Sequence, residues 1–240
     1  MIFQGVIMFP FAKLVLLTLT SLLIGGCAAE KGETERIVNQ QKEIQLPSPM
    51  YKGQESFEAV LARRSSGRNF SDIPLPLHKL AQILWASQGM AVHAITGATR
   101  TAPSAGATYP LEVYVVAGKV NDLAAGIYRY NQKKHSLLLV SAGEYREQLA
   151  NIALGQDFIG TAAASVVLVA DYTRTTGRYG SRGLRYVHME IGHVTQNIHL
   201  QAEAMRLASV AVGAFTDEML KNLLKTEYDP LMIVPLGYYK

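Results

Sequence analysis

Arg100-Thr-Ala-Pro-Ser-Ala-Gly-Ala-Thr-Tyr-Pro-Leu-Glu-Val-Tyr114 sets a loop of small residues, Pro103, Ser104, Ala105 and Gly106, directly before a strand. Small side chains let a backbone approach a flat ligand closely, and Gly106 can take a turn that a Cβ resists. Tyr109, Val113 and Val115 read as the apolar members of a half-buried strand. Taken alone, the stretch fits an ordinary strand entry as well as a ligand cradle. The balance shifts with a second segment upstream, Arg64-Ser-Ser-Gly-Arg-Asn-Phe70.

In that second segment Arg64, Ser65, Ser66 and Arg68 place two guanidiniums and two hydroxyls close together. A guanidinium offers a fork of donors that matches phosphate oxygens, and hydroxyls add further donors. Gly67 lets the backbone bend around an anion. An isolated arginine pair is more often a solvated basic loop, so spacing alone leaves both readings open.

Together the two segments resemble the FMN-dependent nitroreductase superfamily, in particular its SagB-type dehydrogenase branch, from about Phe57 to the C-terminus. The resemblance implies that Arg64, Ser66 and Arg68 contact the FMN phosphate, ribityl chain and pyrimidine edge, with Arg63 as an extra basic neighbour. It implies that Pro103, Ser104, Ala105 and Gly106 pack against a flavin held mainly by the other subunit. That makes the expected assembly an obligate homodimer with FMN at the interface. Val210-Ala-Val-Gly-Ala-Phe215 matches a strand-to-loop turn whose backbone N–H faces flavin N5, here from Gly213 or Ala214. Many relatives carry Glu where this chain has Gly213, so no side-chain carboxylate is expected there. Lys240 could serve the phosphate, where relatives often continue with basic residues; a solvated terminal lysine is the alternative.

Ser56 to Ala62 reads as a helix with Ser56 as N-cap and Phe57, Val60 and Leu61 on one face. Leu77 to Ser87 is a second helix, with a stripe of Leu77, Leu80, Ala81, Leu84 and Trp85, ended by Gly89. Leu111 to Ala117 is a strand, and Gly126–Asn131 with Ser136–Val140 form a hairpin. Glu144 to Leu154 has helical spacing. Ala164 to Ala170 is a continuous apolar run, the pattern of a central strand buried on both faces. Tyr172 to Arg185 reads as an exposed Arg-rich loop that covers the site or binds an acidic substrate, with a plain solvated loop as the rival. A long helix follows from Tyr186 to Leu207, then a strand over Ser209–Ala214, a helix over Asp217–Lys225 and a last strand over Leu231–Leu236. This mixed order predicts an α+β fold, a largely antiparallel sheet packed with helices.

The long helix carries His188, Glu190, His193, Gln196, Asn197 and His199. No metal site is expected from it. His188 and His193 are five apart, about 140° around a helix, and the His-Glu-x-x-His spacing is missing. The resemblance places this helix in the dimer interface, where Gly192 would permit close helix approach.

Residues 1–26 read as a leader: Lys13 is the only charge before Glu30, and Leu14 to Ile24 is a short apolar run. Met8 is an alternative start. Ile24-Gly-Gly-Cys27 resembles a bacterial lipobox, which implies lipidation of Cys27 and a lipid anchor in the cell envelope. Ala28 in place of Asp points to the periplasmic face of the outer membrane if the source is Gram-negative. Cys27 is the single cysteine, which excludes an intrachain disulfide and a Cys-rich metal site. Residues 27–56 read as a polar tether and 57–240 as one FMN-binding domain. The net charge of +4 falls by one with the leader, and no basic block suits nucleic acid.

The expected function is an FMN-dependent oxidoreductase with ping-pong electron transfer from a reduced small-molecule donor to a small organic acceptor. A SagB-type azoline or thiazoline oxidase is the first alternative, and a non-catalytic flavin- or ligand-binding lipoprotein the second. No catalytic acid or base stands out; Tyr109, Tyr114 and Tyr186 are candidates. Neither a Gly-x-Gly-x-x-Gly fingerprint nor a P-loop occurs.

Overall fold

A computed structural model describes residues 42–91 and 99–240. The leader, Cys27 and the tether up to residue 41 lie outside the described residues. Seven antiparallel strands form one sheet in the order β1-β4-β3-β2-β5-β7-β6. The strands are β1 (Glu43–Gln45), β2 (Leu111–Ala117), β3 (Gly126–Asn131), β4 (Ser136–Ala142), β5 (Ala164–Ala170), β6 (Ala208–Ser209) and β7 (Asp229–Gly237). The helices are α1 (Phe57–Arg63), α2 (Leu77–Gln88), α3 (Arg146–Ile152), α4 (Phe158–Thr161), α5 (Tyr172–Tyr179), α6 (Arg182–Ala204) and α7 (Asp217–Leu224). This is the expected α+β architecture, with helices on both faces of the antiparallel sheet.

Side-chain alternation explains the three layers. Val113 and Val115 of β2, with Val166 and Leu168 of β5, join Leu80 and Leu84 of α2 and Val194 and Ile198 of α6 in one core. Their neighbours Tyr114, Val116, Val167 and Val169 point the other way, onto Leu149 and Ile152 of α3 and Leu220 and Leu224 of α7. Every residue of β5 is buried, as its unbroken apolar run predicts for a strand covered on both sides. The same burial corrects the half-buried reading of β2, in which only Glu112 is partly exposed. Tyr109 is not part of that strand: its φ of +47° puts it in a left-handed turn before β2.

Other differences have local causes. Glu43–Gln45 pairs with Ser136–Leu138 and extends the sheet into the polar stretch read as tether. Ser136 and Lys134 both bond Glu43, which fixes this edge. In α1 Ser56 caps as expected, its Oγ accepting the Ala59 N–H at 3.2 Å. Yet only Val60 is buried there; Phe57 and Leu61 are 61% and 45% exposed, so the expected apolar face is half uncovered in the single chain. The segment Tyr172–Arg185 is helix and not loop. Asp171 caps α5 by accepting the Thr173 N–H at 3.0 Å, and Gly180 at φ +56° makes the turn into α6. The predicted strand 209–214 is mostly absent, because after Ser209 pairing resumes only at Val212, opposite Ile233. Among the described residues no helix is long and apolar enough to cross a membrane.

Candidate active site

The Arg64–Arg68 run leaves α1 and lies against β6. Arg63 closes the helix and is held there by Glu203 at 3.0 Å and Glu55 at 3.1 Å. It is a structural tie and is not available to a ligand. Arg64 then turns extended (φ −50°, ψ 122°). Gly67 donates its N–H to the Ser209 carbonyl at 2.9 Å, and a Cβ on Gly67 would stand 2.9 Å from the Ala208 Cβ. This close approach exposes Ser65, Ser66 and Arg68 and leaves Arg64 half-buried. Arg68 sits 5.9 Å over the Phe158 ring. Among the described residues no ion pair engages Arg64 or Arg68, and no side-chain hydrogen bond occupies Ser65 or Ser66.

Beneath this run His199 of α6 is 7% exposed and meets the Ser209 hydroxyl at 2.7 Å. Burial, with the Arg64 charge second, holds its imidazole below the ordinary histidine value. Ser209 therefore clamps the run through its carbonyl while His199 fixes its side chain. The chain end also borders the run, since the Lys240 N–H donates to the Asn69 carbonyl at 3.0 Å.

Beyond β6 the chain pairs once more at Val212, then peels off the sheet. Gly213 and Ala214 are exposed, and a Cβ on Gly213 would meet nothing within 4 Å. The Ala214 carbonyl accepts Gln156 Nε2 at 3.2 Å. The N–H groups of Gly213 and Ala214 have no protein partner among the described residues. Two open backbone donors, a pair of unpaired guanidiniums and two free hydroxyls on one edge fit a phosphorylated, hydrogen-bonding ligand such as FMN.

The Pro103–Gly106 loop is a strained, braced turn. Gly106, Ala107 and Tyr109 have φ of +59°, +54° and +47°. A left-handed non-glycine residue costs of order 1–2 kcal/mol, so the surroundings must impose this shape. Helix α5 supplies the brace. Arg178 Nη1 donates to the Gly106 carbonyl at 2.9 Å, Arg174 Nη1 to the Tyr109 carbonyl at 3.1 Å, and Thr175 meets Thr108 at 2.8 Å. Arg174 is anchored in turn by Glu112 at 2.8 Å. Gly106 stands at φ +59°, where a side chain is strained, and an added Cβ would fall 2.4 Å from the Tyr179 hydroxyl and 2.7 Å from Arg178 Nη1, disturbing the brace.

Pro103, Ser104 and Ala105 form one wall of a cleft of about 300 Å³, and Tyr186, Met189, Glu190 and His193 of α6 form the other. Glu190 is 2% exposed. Burial pushes its carboxyl above the ordinary carboxylate range, against the pull of Ser104, Gln88, Arg100 and His193. Sequence reading passed over Glu190 and Arg100 as site residues. The available signal was Val187, Glu190, Ile191 and Val194, where a charge stands on the buried stripe of a helix. Of the tyrosine candidates only Tyr186 lines the cleft. Tyr114 is 5% exposed within the core, and the Tyr109 hydroxyl is taken by Thr99.

Among the described residues, the cleft beside the Pro103–Gly106 loop is lined by no residue of the arginine run. Ser104 lines its cleft with Glu190 of α6, and the arginine run rests on Ser209, which bonds His199 of α6; the two helix positions are about 13.5 Å apart at 1.5 Å per residue. Along this part of α6 the exposed face carries Met189, Gly192, His193 and Gln196. Asn197 turns inward and donates to the Ala86 and Thr101 carbonyls at 3.2 and 3.3 Å. His188 bonds the Tyr172 hydroxyl at 2.6 Å.

The model of the nitroreductase family matches residues 60–238. "Putative nitroreductase MJ1384" of Methanocaldococcus jannaschii is 42% identical over 195 residues, covering 81% of this chain and 96% of that protein. The trifolitoxin operon protein TfxC of Rhizobium leguminosarum bv. trifolii is 25% identical over 191 residues, 74% of this chain and 54% of its own length. Crystal structures of nitroreductase description superpose from Anabaena variabilis (TM-score 0.73, 25% identity, 83% of this chain) and Ralstonia eutropha (TM-score 0.71, 28% identity, 85% of this chain). The chain spans 42% of the Anabaena protein and 92% of the Ralstonia protein.

Proposed function

The chain belongs to the nitroreductase family, and on that premise we propose that it is an FMN-dependent oxidoreductase acting as a homodimer. It passes electrons from a reduced small-molecule donor to a small organic acceptor, one after the other, in a single open cleft. The observation that carries this reading is the unpaired Arg64, Ser65, Ser66 and Arg68 laid along β6 beside the open N–H groups of Gly213 and Ala214. FMN, when bound, supplies the hydride and electron chemistry through its ring system.

The protein's own groups do the rest. Arg64 and Arg68 fork onto the phosphate, and Ser65 and Ser66 add hydroxyl donors. Gly213 or Ala214 offers an N–H to the ring edge. The rigid Pro103–Gly106 loop of the second subunit covers the ring and excludes water. Tyr186, Met189 and His193 border the space left for substrate. The separation of the two motifs along α6 supports the two-subunit arrangement, because each needs a partner surface that its own chain does not bring. The apolar run ending at Cys27 supports a lipid anchor on the cell envelope.

The test is the double variant Arg64→Ala with Arg68→Ala. It should fold as wild type and purify without FMN. Unchanged flavin occupancy would sink the phosphate assignment. A second reading, oxidation of azoline rings in a peptide, is favoured by the likeness to a protein of a toxin operon. It requires a cyclodehydratase partner to make the substrate, and an anchor outside the cytoplasm weighs against it.

A further inference from the structure

Between Asp171 and Glu190 the chain carries four arginines and no carboxylate. Two of the four are engaged by the fold. Arg174 pairs with Glu112 at 2.8 Å and Asp171 at 3.2 Å, and Arg178 donates to the Gly106 carbonyl at 2.9 Å. Arg182 and Arg185 stand exposed at the start of α6, three residues apart and so on one side of the helix. Among the described residues neither has an ion pair or a side-chain hydrogen bond. Like charges at this spacing repel and cost helix stability, and no neighbouring carboxylate offsets them.

Both arginines line a pocket of about 610 Å³, together with Ser181, Leu184, His188 and Met189. His188 is held in place. Its Nε2 meets the Tyr172 hydroxyl at 2.6 Å, and the two rings stand edge to face with centroids 5.7 Å apart. Nδ1 is therefore the nitrogen left for a ligand, and it carries the ring proton when Tyr172 donates. The Ser181 side chain makes no capping bond, which leaves its hydroxyl open as well. Two guanidinium forks, an imidazole and a hydroxyl around one pocket form a donor set for an oxyanion. Leu184 and Met189, 45% and 52% exposed, give the same pocket an apolar wall.

This pocket adjoins the cleft beside the Pro103–Gly106 loop, because Met189 lines both. Arg185 stands one turn before Met189, about 6 Å along the helix at 1.5 Å per residue. We propose that Arg182, Arg185 and His188 bind the carboxylate or phosphate group of a small-molecule reactant, so that the substrate is an organic anion. The reactive end of that molecule reaches past Met189 into the space bordered by Tyr186 and His193. The inference rests on the oxidoreductase reading for what happens at that end, and on these residues alone for the binding of the anion.

The experiment titrates benzoate and phenyl phosphate into the purified protein at low salt, read by calorimetry. Wild type should bind at least one of them, and the tighter one names the oxyanion. The double variant Arg182→Gln with Arg185→Gln should bind about ten- to twentyfold more weakly, from roughly three- to fivefold at each exposed guanidinium. Arg182→Lys with Arg185→Lys should recover part of the loss, since the charge returns without the fork. The glutamine variant should melt no lower than wild type, because it removes a like-charged pair; a structural pair would give the opposite result. In flavin-loaded protein reduced with one equivalent of dithionite, 4-nitrobenzoate should reoxidise the flavin at a lower half-saturating concentration than its neutral methyl ester. Each nitro group takes two electrons and two protons from the reduced flavin and becomes a nitroso group and water. The glutamine variant should erase the preference for the acid. Binding of neither probe by wild type overturns the proposal, and so does equal binding by the glutamine variant. A flavin-loaded wild type that shows no preference for the acid overturns the link to the cleft. If the protein takes up no flavin, the proposed function fails, and the calorimetry alone decides the anion site.

Discussion

Gly67→Ala perturbs the arginine run without removing a single donor from it. The added Cβ would stand 2.9 Å from the Ala208 Cβ and 3.0 Å from Tyr239 Cε1. Ordinary carbon contacts are about 3.5–4.0 Å, so each is short by at least ~0.5 Å. Tyr239 is 44% exposed and can swing aside. Ala208 cannot, because β6 is paired to Gly237 and Leu236 of β7. Two relaxations remain. The run can hold its place at an overpacking cost of about 1–3 kcal/mol. Alternatively it lifts away and loses the Gly67 N–H bond to Ser209, about 1 kcal/mol. At roughly 2–4 °C per kcal/mol for a domain of this size, the melting midpoint should fall by about 2–12 °C. Lifting also moves Arg64 and Arg68, so FMN affinity should drop on the order of tenfold, equivalent to about 1.4 kcal/mol. Thermal melts and fluorescence titration measure the two effects. Gly177→Ala is the control: nothing lies within 4 Å of its Cβ, and the helical site should gain up to about 1 kcal/mol. A Gly67→Ala protein that melts and binds FMN like wild type would refute the reasoning that the run is seated on β6.

Two further outcomes are expected. Gly192 is exposed on α6, and a Cβ there meets nothing within 4 Å, so Gly192→Leu should leave the monomer intact and shift the proposed dimer toward monomer in sedimentation; an unchanged dimer removes this face from the interface. His199 is held neutral by burial and the Arg64 charge, so its stabilising contribution is present above the ordinary histidine value near 6.5 and is lost as pH falls through its lowered folded value. Urea unfolding should therefore show wild type losing more stability than His199→Asn between about pH 7.5 and about pH 5, and parallel losses would contradict the assignment.

The elements that the sequence made legible are those whose pattern depends on one neighbour. The apolar run of β5 demands two covered faces, and the hairpin of β3 and β4 pairs locally. The two motifs stood out through their joint likeness to a family, because the spacing of each alone fits a strand entry or a solvated basic loop as well. What escaped depends on distant partners. Tyr172–Arg185 carries little apolar signal, and its helix is fixed by contacts to the Tyr109 turn more than sixty residues away. Glu43–Gln45 looks polar because an edge strand needs only backbone and a few ion pairs. Arg63 and Arg64 are indistinguishable in sequence, yet Glu203 claims the first and leaves the second open. Glu190 was hidden for the opposite reason: a charge on the buried stripe of α6 has meaning only once Ser104 and Gln88 are seen beside it.

The most direct test of the central claim is the visible spectrum of the purified domain, with unfolding to release whatever it holds. The account predicts bands near ~370 and ~450 nm and FMN in the released fraction. A colourless protein that also fails to take up added FMN would contradict it.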